Sequence, residues 1–299
     1  MANILDLHKE LRDKTYRHSD YHAFNISDPK SRNIHKASVR DRLLHRALYR
    51  QLYPFFDRIF IYDSYSCRID KGTHKAINQF RNFAYKVSQN HTKTVWILKC
   101  DIKKFFASID HSVFKNIISN YIPDQDIKWL LWQVIDSFET SPDKGLPLGN
   151  LTSQLLVNVY MNVFDQYMKH KLKVRYYIRY ADDFAIFSDD KHYLEKMLAK
   201  IDLFLREKFK LNLHPNKVSI STLASGVDFL GWVHFVDHRV LRSVSKRRIF
   251  VNIRLAKEKL DQELITEYSF NQTLQSYYGI LKHCQGHKLS LEIEFLVKR

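Results

Sequence analysis

Apolar residues recur along this chain at two different periods. Between residues 38 and 60 (SVRDRLLHRALYRQLYPFFDRIF), Val39, Leu43, Leu44, Ala47, Leu48 and Leu52 fall at helical spacing, with basic residues on the other face. Residues 95–102 (VWILKCDI) form a short apolar run that fits a buried strand. Residues 111–121 return to helical spacing, and Asp110 stands where an N-cap is expected. Beyond Gly149, LTSQLLVNVYMNVFDQYM predicts another helix, opened by Asn150 or Thr152. Val174–Tyr180 and Phe184–Phe187 predict two strands joined by a tight turn. Residues 192–209 predict an amphipathic helix. Asp228–Phe235 (DFLGWVHF) predicts one strand, in which Gly231 implies close approach of another backbone. From Arg242 onward the pattern is helical again. Ile249, Ile253, Ala256 and Leu260 share one stripe, with Lys246, Arg247, Arg248, Arg254, Lys257 and Lys259 mostly off it. Strands and helices mix without strict alternation, which predicts an α+β fold.

Composition narrows the partners. The 299 residues are 45% apolar, with 20 Phe and 17 Tyr, enough for a substantial core. Only 7 Gly and 6 Pro argue against long flexible linkers. A net charge of +16 implies a polyanionic partner, nucleic acid or an acidic membrane surface. The apolar stretch at Leu146–Phe164 is broken by Asn150, Thr152, Ser153, Gln154, Asn158 and Asn162, short of the roughly 20 apolar residues a span needs. Early Asp6, Lys9 and Glu10 leave no apolar signal region. Cys67, Cys100 and Cys284 are odd in number and far apart, which points to reduced thiols and a cytoplasmic protein rather than a zinc site or disulfide framework.

Candidate chemistry lies in the acids. Asp182 and Asp183 fall in the turn of the predicted hairpin, where Asp is common for conformational reasons alone. Asp101 is different, because a charge ending VWILKC is partly buried and needs a partner. Carboxylates converging at strand ends repel unless a cation neutralises them. Magnesium, a hard ion that uses one or two carboxylates plus substrate phosphates, meets that need. Two such ions can activate an attacking hydroxyl and stabilise a leaving pyrophosphate. Asp110, one helical cap away, is read as structural.

LKCDIKKFFASIDH (98–111), GLPLGNLTSQ (145–154), YADDF (180–184), HPNK (214–217) and FLGW (229–232) occur in the order of the palm motifs of reverse transcriptases, a family the chain resembles. KSRNI (30–34) looks like the fingers motif, continued by RDRLLHRAL (40–48) and CRIDKGTHKAI (67–77), and SYYGILKH (276–283) looks like the thumb of prokaryotic members. The resemblance implies a right-hand polymerase with fingers at 1–94 (plus part of 111–144), palm at 95–235 and a helical thumb at 236–299. It also implies roles. Asp101, Asp182 and Asp183 would hold two Mg²⁺ ions, with Mn²⁺ able to substitute. Lys30 and Arg32 would grip the triphosphate, or else form a solvated loop. Lys217 would stand near the leaving pyrophosphate as an acid, or else be a surface lysine. Phe106 would press on the sugar and favour deoxynucleotides. FLGW (229–232) would form the primer-gripping hairpin, with Gly231 and Trp232 at the primer. Lys246, Arg247 and Arg248 would track phosphates, or else face solvent.

Within the family, Leu148-Gly149 and Ser153-Gln154 look like the diversity-generating retroelements, where the usual Gln before the glycine is replaced. That likeness implies error-prone copying of a template RNA into cDNA from dNTPs, with Leu148, Gly149 and Gln154 at the nucleotide. It also implies a small basic accessory variability protein as partner, and no membrane. Retron-type or group II intron-like enzymes, and a non-catalytic or defence-associated RNA-binding relative, are the alternatives.

Overall fold

A computed structural model describes residues 2–27 and 31–298 of the chain. Helix α1 (Ala2–Arg12) leads into the hairpin β1 (His22–Ile26) and β2 (Arg32–Lys36), followed by α2 (Val39–Ile59) and α3 (Thr73–Val87). Strand β3 (Trp96–Asp101) precedes α4 (Phe105–Ser108), α5 (His111–Tyr121), α6 (Gln125–Ile135) and α7 (Leu151–Gln166), which ends in a π-helical turn at Tyr167–Lys171. Next come β4 (Tyr177–Tyr180), β5 (Asp183–Ser188), α8 (Lys191–Phe209) and β6 (Ser219–Thr222). The remainder holds β7 (Val227–Phe229), β8 (Trp232–His234), β9 (Arg239–Leu241), α9 (Ser243–Asp261), α10 (Glu267–Leu281) and α11 (His287–Lys298). The mixed α+β class is as the patterning predicts.

The chain divides into two compact units. The first comprises residues 1–72, 98–186 and 192–219; the second comprises 73–97, 187–191 and 220–299. In the first, β1 and β2 pair antiparallel from His22↔Lys36 to Ile26↔Arg32. Strand β5 lies between β4 and β3, and the β4–β5 pairing closes at Tyr180↔Asp183. The core is aromatic: Phe56 of α2, Phe114 of α5, Tyr160 and Phe164 of α7 and Phe184 of β5 are fully buried. Each such ring contributes on the order of 1.5–3 kcal/mol by leaving water. Helix α5 begins as expected, with the Asp110 carboxylate accepting from Val113 N at 3.0 Å and from Lys210 Nζ at 2.7 Å. Asn150 occupies the N-cap position of α7, but its side chain makes no capping bond there.

In the second unit β7, β8 and β9 form an antiparallel sheet, and Phe80 of α3 stacks on Phe229 with ring centroids 4.9 Å apart. The single strand that patterning predicts over Asp228–Phe235 is instead a hairpin, as the resemblance implies for FLGW, pairing Phe229 with Trp232 across a two-residue turn. Leu230 (φ 52°) and Gly231 (φ 93°) both adopt left-handed conformations there. Gly231 is needed for that dihedral and not for a close approach, since nothing lies within 4 Å of a Cβ added to it. Ile249 and Ile253 bury the apolar stripe of α9.

Replacing Asp110 with Ala should lower stability by about 1–2 kcal/mol through loss of the cap. A denaturant titration should show a lower midpoint at unchanged slope.

Candidate active site

The site is assembled at the end of β3. Ile97, Leu98 and Cys100 anchor the strand with no solvent exposure, and Asp101 follows at 7%. Past Asp101 the chain turns through Lys104 (φ 47°) into α4. The segment after α8 is stitched to this corner: Asn212 O accepts from Lys103 N at 2.9 Å, and His214 N donates to Asp101 O at 2.8 Å. Lys217 N then donates to His214 O at 3.0 Å. That turn delivers the Lys217 ammonium onto both Asp101 carboxylate oxygens, at 2.9 and 2.8 Å.

The second half of the site is the β4–β5 turn, which has only Ala181 and Asp182 as its loop. Ala181 is left-handed at φ 54°. Asp183 opens β5, with Lys99 Nζ 4.0 Å from its carboxylate. The Asp182 carboxyl is pushed up to about 6, first by burial, then by the negative charges of Asp183 and Asp101, with Lys217 opposing. Asp101, Asp182, Asp183 and Lys217 are thus brought into one electrostatic neighbourhood. Among the described residues, no three His, Cys, Asp or Glu side chains are set to share a metal ion as they stand. The Lys217 ammonium, lying on both Asp101 oxygens, would have to yield to such an ion.

The expected nucleotide contacts belong to the same unit. Phe105 is buried in the core and Phe106 is only half-buried, so the two rings divide as the sequence suggests. The Phe106 carbonyl accepts from Leu146 N at 2.8 Å, which ties α4 to the loop leading to Leu148. That loop is joined to β2: His35 N donates to Leu148 O at 3.0 Å. The Asn150 amide donates to His35 O at 2.8 Å and accepts from Ala37 N at 3.3 Å. Gly149 (φ 102°) lies so close that an added Cβ would meet Ile34 Cγ2 at 2.7 Å. Leu148 is half-buried, while Gln154 on α7 and Arg32 at the start of β2 are exposed. Lys30 lies outside the described residues.

The expected primer contacts belong to the second unit. Gly231 sits at the tip of the β7–β8 turn, and the buried Trp232 ring is edge-on to His74 at 6.0 Å. On α9, Lys246 is 3.5 Å from Glu292, and Arg247 is exposed.

Patterning alone missed Arg179 and Asp165. Both are fully buried and joined by Nη2–Oδ2 at 2.6 Å. An acid inside the apolar run of α7 was the available signal, because a buried charge needs a partner. Lys99, inside the β3 run, was the other cation to notice.

The fold these units share is that of right-hand polymerases. Telomerase from Candida tropicalis, solved with a TWJ fragment of telomeric RNA, superposes with a TM-score of 0.57 at 9% identity, covering 97% of this chain and 58% of that one. The Candida albicans telomerase with the same RNA fragment gives 0.56 at 12% identity, covering 91% and 59%. Residues 26–234 match the reverse transcriptase (RNA-dependent DNA polymerase) family, and the chain belongs to that family. Among curated relatives, protein YkfC of Escherichia coli is 25% identical over 74% of this chain and 66% of its own length. The group II intron-encoded protein LtrA of Lactococcus lactis is 21% identical over 80% and 50%. The retron Ec73 reverse transcriptase of Escherichia coli is 25% identical over 66% and 64%. The chain therefore spans half to about two thirds of these relatives. No helix among the described residues is long and apolar enough to cross a membrane.

The raised Asp182 carboxyl has a thermodynamic consequence. The folded chain holds its proton up to about pH 6, whereas the unfolded chain releases it near 3.8. The Asp182 contribution to stability should therefore fall as pH rises from about 4 to 6, with a penalty on the order of 1–3 kcal/mol above that window. In EDTA, Asp182→Asn should melt higher than wild type at pH 8, and the difference should vanish near pH 4. Equal melting at both pH values would contradict the crowding.

Proposed function

We propose that this chain is an RNA-directed DNA polymerase that copies a template RNA into cDNA from dNTPs. The observation that carries the reading is the convergence of Asp101, Asp182 and Asp183 at β3 and the β4–β5 turn, with Lys217 on Asp101. Their oxygens are hard donors, and the repulsion that raises Asp182 is what a bound cation would relieve. Asp101 and Asp182, with Asp183 beside them, would hold Mg²⁺ or Mn²⁺. Two such ions would activate the primer hydroxyl and stabilise the leaving pyrophosphate. Lys217, once released from Asp101, carries the proton donor nearest the carboxylates and would serve the departing pyrophosphate. Arg32, together with Lys30, would hold the triphosphate. The Phe106 ring would close the space a 2′-hydroxyl needs.

In this reading the fingers are residues 1–94 with part of 111–144, the palm 95–235 and the thumb 236–299. Gly231 and Trp232 would set the primer through the hairpin backbone, and Lys246, Arg247 and Arg248 would follow phosphates in a salt-sensitive way. The enzyme would work in the cytoplasm. The finer reading is an error-prone polymerase of the diversity-generating type, aided by a basic accessory protein. Leu148 supports it, since an aliphatic side chain cannot hydrogen-bond the incoming nucleotide. The retron and group II intron names among the relatives favour a second reading, a retron-like or intron-like enzyme of ordinary fidelity.

Primer extension on RNA with dNTPs tests the main reading. Asp182→Asn should reduce extension by about 10²- to 10³-fold or more. Equal activity in the two proteins, or a preference for NTPs, would overturn it. Phe106→Ala should erode the preference for dNTPs over NTPs by roughly 10- to 100-fold. Leu148→Gln separates the subtypes: misincorporation opposite template adenine should fall if this position sets infidelity, and an unchanged error spectrum would remove that cause.

A further inference from the structure

We propose that Arg179 is a positioning residue for the catalytic turn, acting through the Ala181 carbonyl on the backbone that carries Asp182. The proposal rests on the polymerase reading above. Arg179 is fully buried, and its guanidinium is divided between two tasks. One edge grips Asp165, with Nε at 2.8 Å from Oδ1 and Nη2 at 2.6 Å from Oδ2, while Nη2 also reaches Ser64 Oγ at 3.0 Å. Nη1 instead donates to Asn158 Oδ1 at 3.3 Å and to Ala181 O at 3.0 Å. The backbone of Arg179 is held as well, donating to Asp63 O and accepting from Tyr65 N, both at 3.0 Å. Five main-chain and side-chain groups from α7 and the 63–65 segment therefore fix where Nη1 stands.

The peptide bond explains what that achieves. Ala181 O and Asp182 N and Cα belong to one planar unit, so pinning the oxygen orients the Cα from which the Asp182 carboxylate projects. The turn needs this, because Ala181 is held left-handed without being glycine. Stability alone is a poor account of the ion pair, since a buried pair is often no better than apolar residues of similar volume. A planar, forked cation can grip an acid with one edge and a carbonyl with another. Lysine cannot do both.

The test uses the full chain and two variants, Arg179→Lys and the charge-free double variant Arg179→Met/Asp165→Asn. The double variant leaves no orphan charge and keeps an acceptor for the Tyr177 hydroxyl, which now donates to Asp165 at 2.7 Å. Circular dichroism and melting identify whichever variant folds. In that variant, kcat for primer extension should fall about 10- to 100-fold while KM for dNTP and affinity for primer–template stay within about twofold of wild type. Amide exchange should also accelerate at least about tenfold in residues 180–183, more than in α7. An unchanged kcat, or exchange that rises along α7 and not in the turn, would make the pair merely structural and overturn the proposal. The exchange measurement holds whether or not the wild type extends primers. Failure of wild-type extension, or full activity in Asp182→Asn, would instead count against the polymerase reading.

Discussion

Asp101, Asp182 and Asp183 share a corner of the first unit, and at Asp182 burial and like charge both oppose ionisation. At Asp182 the combined effect outweighs the nearby lysine, which is why its carboxyl titrates near 6 and not near 4. The surrounding polar groups make sense as responses to that crowding. Lys217 lies on Asp101, and Lys99 approaches Asp183 from within β3. Arg179, fully buried, is committed to Asp165 and hydrogen-bonds a carbonyl of the turn. An arginine paired directly with Asp182 would have lowered its carboxyl and filled the place of any incoming cation. The division keeps one carboxylate short of positive charge while holding its backbone still.

Much of this was legible from residue order. Period fixed α2, α5, α8 and the β4–β5 hairpin, because each buries one regular face. Asp110 was separable from the site because a cap sits immediately before an apolar helical run, and its bond to Val113 N is that cap. Asp101 stood out by ending an apolar run without compensation. Other features depend on tertiary pairing or dihedrals that pattern cannot carry. DFLGWVHF looks continuous because nothing in it announces that Leu230 is left-handed. Asn150 has the right chemistry for a cap, but its amide serves His35 and Ala37, partners more than a hundred residues away. Asp165 looks like one more polar interruption of α7 until Arg179 is placed against it.

The contacts at 148–150 also sharpen what the subfamily residues can mean. His35 N bonds the Leu148 carbonyl, and Gly149 packs so closely on Ile34 that a side chain there would collide. Asn150 closes the same seam from the other side. The backbone at Leu148 is thereby set by main-chain and glycine contacts that do not involve its own side chain. Leu or Gln at 148 would start from the same Cα, so under the nucleotide-binding role proposed for Leu148 the difference between them reduces to what the side chain can offer a nucleotide. A fidelity effect at this position is then a matter of a missing hydrogen-bond partner, with no rearranged loop required.

Net charge and site chemistry carry different kinds of information. An excess of +16 sets a positive field that draws any polyanion, and isolated pairs such as Lys246 with Glu292 scarcely reduce it. That field does not distinguish a nucleic-acid enzyme from a nucleic-acid binder. The acids do. In a chain with 48 basic residues and 32 acidic ones, lysines are abundant enough to neutralise every buried carboxylate, as Lys210 helps to do at Asp110. Asp182 instead remains raised, with two acids closer to it electrostatically than any compensating base. Holding such a group in place costs stability, and a binder of phosphates would gain nothing from placing a destabilised negative charge there. The transferase proposed above, which would recruit cations between its own acids and a triphosphate, would gain from it.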